Sequence, residues 1–125
     1  MRYKGWDYLD HMVVACEELL DYMKDIKSSE DFEADGKTRR AATMCLLELG
    51  ELFKGLSAEE KVEYPSEGWQ NLIGFRNRAA HGYHRLSFKI VYSIITDLMP
   101  PLYAFLKKKQ QELESDADLG EVVDG

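Results

Sequence analysis

Residues 9–26, LDHMVVACEELLDYMKDI, place apolar side chains at Leu9, Met12, Val13, Cys16, Leu19, Leu20, Met23 and Ile26. Steps of three and four residues line one face of an α-helix, and nothing in the run alternates as a strand would. The spacing predicts a first helix over about residues 3–27, ending at the polar Ser28-Ser29-Glu30-Asp31. The same period continues downstream. Ala41, Ala42, Cys45, Leu46, Leu49, Leu52 and Phe53 mark the inner face of a second helix from Phe32 to Leu56. Gly50 sits inside that helix at a cost in propensity, which points to a neighbouring helix passing close by.

Ser57 and Glu60 are spaced as a capping pair for a short turn before Tyr64-Pro65. Trp69, Leu72, Ile73, Phe75, Ala79 and Ala80 follow Ser66 in a third helix expected to end near Gly82. Ile90, Val91, Ile94, Ile95 and Leu98 give a fourth that begins near Ser87. Pro100-Pro101 removes two backbone donors, so this last helix is expected to kink or restart there. Beyond it Leu102, Tyr103, Phe105 and Leu106 resume the apolar face toward the lysines at 107–109, which suit a helix C-terminus. The expected fold is all-α, an antiparallel bundle of four to five helices. One domain over residues 1–114 is expected, followed by an acidic, disordered tail over 115–125.

A chain of 125 residues is enough for one core and too short for two. Its 45% hydrophobic and 31% charged residues are the balance of a soluble globular protein. No apolar run approaches the roughly 20 residues of a membrane span, and the first ten residues lack a signal-peptide core. A cytoplasmic protein without membrane contact is therefore expected. Cys16 and Cys45 lie within helical apolar patterns and read as small buried hydrophobes, not as a disulfide or zinc framework.

The net charge of −7 argues at first against a nucleic-acid partner. Six acids, however, fall in the last fourteen residues, leaving 16 bases against 17 acids over residues 1–111. Residues 68–96 hold no acid at all, yet carry Arg76, Arg78, Arg85, Lys89, His81 and His84. A local positive island on a near-neutral body attracts phosphate.

Within that island stands GFRNRAAHGYHRL, residues 74–86. Each polar member has an ordinary structural explanation: Arg76 and Arg78 as solvated helix charges, His81 with Gly82 as a helix end, Tyr83 as a packing residue. The chemical reading is sharper. A histidine exchanges a proton near neutral pH, and an arginine holds phosphate through a planar fork. Together they suffice for metal-free RNA cleavage, in which a ribose 2′-OH attacks the adjacent phosphorus. Five residues on a helix turn through about 140°, so Arg76 and His81 do not share a helix face. Either the helix ends before His81, or a second copy of the segment supplies the complementary groups in a homodimer. His81 and His84 have no carboxylate or thiol near them in sequence, so no metal and no cofactor is expected.

The sequence resembles the HEPN superfamily, specifically its HepT-like branch of small toxins paired with a minimal nucleotidyltransferase antitoxin. The family motif of Arg, four residues, His, one residue and Tyr matches Arg76, His81 and Tyr83. A Gly-Glu step in the second helix is matched by Gly50-Glu51, a Leu-Ser end by Leu56-Ser57, a preceding tryptophan by Trp69 and a late Pro-Leu step by Pro101-Leu102. Leu52 stands where a small alanine is usual, and His84 where an aromatic is common. The resemblance implies a metal-independent endoribonuclease in which Arg76 grips phosphate, His81 is the general acid/base and Asn77 orients the site or substrate, while the basic island makes Arg78 and Arg85 the expected RNA-binding residues. It further implies a homodimer, silenced when the antitoxin attaches AMP to Tyr83. The competing expectation is a non-catalytic HEPN subunit that binds a nucleotide or the nucleotidyltransferase without cutting RNA.

Overall fold

The computed structural model describes residues 8–64 and 66–124, and these form six α-helices and one 3-10 turn with no strand among them. The helices are α1 (Leu9–Tyr22), α2 (Ser29–Ala34), α3 (Gly36–Lys54), α4 (Ala58–Val62), α5 (Ser66–Ala79) and α6 (Phe88–Asp124), with the 3-10 turn at Tyr83–Arg85. The all-α expectation is borne out. The N-terminal part of the expected first helix, residues 3–7, and the side chain of Trp69 lie outside the described residues.

The α1 stripe is buried as its spacing predicts: Leu9, Met12, Val13, Cys16 and Leu19 are at most 3% exposed. They meet Leu46, Leu49 and Phe53 of α3 and Met99, Leu102 and Leu106 of α6 in one core. Along α1 and α6, Tyr103 donates to Glu17 and Gln110 donates to Asp10. Numbering rises on one helix as it falls on the other, so these two run antiparallel. Tyr64 sits beneath them, its ring 4.6 Å from both Phe53 and Phe105. Desolvation pushes the Cys16 thiol up to about 12 and the Cys45 thiol up to about 11, so both stay protonated and act as apolar filling.

The single helix expected over residues 32–56 is two helices. Asp35 leaves helical geometry at φ −95° and ψ 88°, and its carboxylate accepts from the Thr38 amide at 3.1 Å and the Thr38 hydroxyl at 2.8 Å. Those bonds hold its carboxyl below the usual range. They give α3 an N-cap stronger than the pull of helical continuity. Ser28 caps α2 in the same way, through the Asp31 amide. Ser57 and Glu60 form the reciprocal capping box that their spacing predicts.

The paired prolines do not restart the last helix, which runs through Pro100 and Pro101 without interruption. The carbonyls deprived of partners belong to Thr96 and Asp97, four residues earlier, and both residues are exposed, where solvent can take the place of the lost bonds. Nor does helix stop at Ser115. The α6 backbone continues as helix to Asp124, because extending a formed helix needs no new nucleation. No helix among the described residues is long and apolar enough to cross a membrane.

Candidate active site

The polar stretch at residues 76–87 is built at the junction of α5, the 3-10 turn and α6. The α5 helix ends at Ala79, and its last turn tightens through amide bonds from His81 to Arg78 and from Gly82 to Ala79. His81 therefore lies beyond the helix, and the rotation that would set it against Arg76 does not apply. Gly82 then turns the chain at φ 133°, a conformation that strains any side-chain-bearing residue. A Cβ there would also meet the His84 ring at 2.8 Å, a contact that the exposed imidazole could relieve by turning, so the requirement for glycine rests on the backbone angle. Ser87 opens α6, its hydroxyl accepting from the Ile90 amide.

This turn gathers three of the expected residues. Arg78, His81 and Arg85 line one cleft of about 320 Å³, with the Ser87 side chain beside them and Phe75, Leu86, Ile90 and Val91 forming an apolar floor. Two arginines and a histidine around such a space bring together groups that can hold an anion, with an apolar floor beside them. His84 does not join them, since its ring lies over Gly82.

Arg76 and Asn77 are outside that cleft. Arg76 faces α3, where its Nε donates to the Glu51 carboxylate and its Nη1 donates to Asn77 Oδ1 at 3.2 Å. The contact is possible because Gly50 lets the helices touch: a Cβ at Gly50 would fall 2.8 Å from the Leu72 carbonyl oxygen and 2.9 Å from Arg76 Cβ. The close passage that Gly50 predicts is thus present. The role of Glu51 is not readable from its neighbours in sequence, because its partner stands 25 positions away.

Tyr83 departs from the expectation of a reachable phenol or a hydrogen-bonded rim hydroxyl. Its hydroxyl is buried and has no hydrogen-bond partner among the described residues. The Gly82 turn swings the ring inward, 5.3 Å from the Phe88 ring, and the Arg40 guanidinium covers it at 5.3 Å. Phe88 is in turn backed by Phe32 at 6.4 Å and overlaid by Arg39 at 4.8 Å. Arg39 and Arg40, from the start of α3, join the island through space alone.

A motif turn on an all-α bundle of this kind is matched by known proteins. The sequence matches the Ribonuclease HepT-like family over residues 12–109, nearly the whole of the bundle. The chain belongs to the HepT-like ribonuclease family. Among its HepT-like relatives, a protein of Caldanaerobacter subterraneus named as an RNase is 30% identical over 105 residues, covering 84% of this chain and 93% of the relative. A chain of Thermococcus cleftensis that carries the name ribonuclease HepT is 26% identical, covering 82% of this chain and 92% of its own. One from Methanocaldococcus jannaschii, also named as an RNase, is 25% identical over 95 residues. No solved structure matches the chain significantly.

The orphaned hydroxyl has a measurable consequence for this HepT-like chain. A buried phenol without a partner is a net cost, so removing the oxygen relieves it. Tyr83→Phe should stabilise the fold by about 1 kcal/mol, raising Tm by about 4 °C in a thermal melt. A lower Tm would show that the hydroxyl has a partner after all.

Proposed function

We propose that this protein is a metal-independent endoribonuclease, the toxin of a toxin–antitoxin pair. The observation that carries this reading is the convergence of Arg78, His81 and Arg85 on one cleft in a chain of the HepT-like ribonuclease family. In this reading Arg78 and Arg85 hold an RNA phosphate in the cleft. The His81 imidazole removes the proton of the ribose 2′-OH, whose oxygen attacks phosphorus and expels the 5′-oxygen. The leaving 5′-oxygen takes up a proton from water, His81 returns its own to solvent, and the other product is a 2′,3′-cyclic phosphate. Arg76 lies outside the cleft, and in this reading it meets the scissile phosphate at the cleft's mouth with the part of its guanidinium that Glu51 and Asn77 leave open, stabilising charge as it develops.

A homodimer belongs to the same proposal. Its support no longer includes the helix rotation, since His81 is off the helix. It comes instead from an apolar groove of about 680 Å³ that adjoins the cleft through Ile90 and includes Ile94, Leu98 and Pro101. Lys89, Ser93 and Asp97 share this face at four-residue steps. A two-fold axis through Ser93 would set Lys89 of each copy against Asp97 of the other, with isoleucines packed between them. Such an antiparallel pairing sets the motif turn of each copy opposite the Pro101 end of the other copy's groove.

The antitoxin in this proposal is a minimal nucleotidyltransferase. The Tyr83 phenol oxygen attacks the α-phosphorus of ATP, pyrophosphate leaves, and the phenolic proton passes to solvent. Because the hydroxyl is buried, modification requires the ring first to leave Phe88 and Arg40. The attached phosphate then occupies the cations that RNA would use.

Purified protein should cut RNA in excess chelator, and His81→Ala should lose at least a hundredfold of that activity, within the range of ~10² to 10⁴ for a general base. No cleavage by the wild type would favour the non-catalytic binding subunit. Lys89→Asp should shift the protein toward monomer in light scattering, and Lys89→Asp with Asp97→Lys should restore the dimer; a wild-type monomer would remove the interface. Co-expression with the active nucleotidyltransferase should add AMP masses to the wild type and none to Tyr83→Phe. An unmodified wild type would leave occlusion as the means of silencing.

A further inference from the structure

Glu51 is half-exposed, with 53% of its side chain open to solvent, and Arg76 is 30% open. Ion pairs this solvated contribute little to folding, so stability does not account for the contact. Geometry accounts for it better. A guanidinium on a flexible stem is a poor catalyst unless its plane is fixed before the substrate arrives. Arg76 is fixed at two corners. Its Nε donates to the Glu51 carboxylate from α3, and its Nη1 donates to the Asn77 amide oxygen on its own helix. Neither bond uses Nη2, so that corner and its two N–H groups remain available to phosphate oxygens.

Gly50 makes the arrangement possible at this level of the bundle. The side chain it lacks would collide with Arg76 Cβ at 2.9 Å, so any larger residue would push α5 away and carry Arg76 out of reach of the carboxylate. The pair Gly50-Glu51 therefore acts as a unit, the first residue admitting α5 and the second orienting what α5 brings.

We infer that Glu51 is a positioning residue for RNA cleavage, holding the Arg76 guanidinium by its Nε edge and leaving its Nη2 corner free to meet the scissile phosphate. The inference rests on the endoribonuclease reading above. It is distinct from an autoinhibitory pairing, in which Glu51 would compete with RNA for Arg76 and its removal would raise activity.

Steady-state kinetics on a short RNA test the role. Glu51→Ala should lower kcat by about tenfold to a hundredfold, the range of one charge-assisted hydrogen bond, with KM changed less than twofold. Glu51→Gln keeps an oxygen to accept from Nε and should recover most of the loss. Since Glu51 acts through Arg76, the double variant with Arg76→Ala should be no slower than Arg76→Ala alone. Additive losses, or an unchanged or increased kcat in Glu51→Ala, would overturn the inference. A second readout does not depend on cleavage. The Arg76 Nε–H resonance in a 15N spectrum should persist in Glu51→Gln and be lost to solvent exchange in Glu51→Ala. Were the wild type to cut no RNA, the endoribonuclease reading would fail while this spectrum still decided whether Glu51 holds Arg76; equal spectra for the two variants would refute that hold.

Discussion

At Gly50 the backbone of α3 lies so close to α5 that no side chain fits between them. This one steric constraint sets the relation of the two helices, and the rest of the site follows from it. It brings Leu72 and Phe75 into the core, and it brings Arg76 within reach of Glu51. It also fixes where α5 runs out, and hence where the Gly82 turn releases His81, Tyr83 and Arg85. Side-chain packing elsewhere tolerates volume-conserving exchange, but a backbone contact of this kind does not.

The stripes of α1 and α6 were legible because a 3.6-residue period over many residues leaves no other solution. The capping pair at Ser57 and Glu60 was legible for the same reason: it is a local pattern with a local cause. The break at Asp35 was not. The apolar face of α3 begins only at Ala41, so nothing periodic marks the boundary, and the deciding bonds to Thr38 are short-range and polar. Paired prolines suggested a kink or a restart, yet the helix continues through them because the freed carbonyls belong to exposed residues.

Within the site, the linear motif singled out the residues around the turn and left their grouping open. Spacing tells how far His81 is rotated from Arg76 only while the helix lasts, and the helix ends two residues too soon for the sum to hold. The resulting division, with Arg78, His81 and Arg85 around a cleft and Arg76 turned to α3, depends on which helix each side chain meets. The contact of Glu51 and the involvement of Arg39 and Arg40 emerged only in three dimensions, since their partners lie 25 or more positions away.

The six-residue helix α2 delivers a single fully buried side chain, Phe32, whose ring lies under both Phe88 and Tyr92. Phe88 in turn supports Tyr83. The phenol is therefore held by a stack whose foundation stands some fifty positions earlier in the chain. A helix this short has little stability of its own and opens as a unit with what it supports. Access to the Tyr83 oxygen is then not a matter of one side chain changing rotamer. The stack predicts a local opening shared between α2 and the turn, so the slowest-exchanging amides of α2 and the availability of the tyrosine should report the same event.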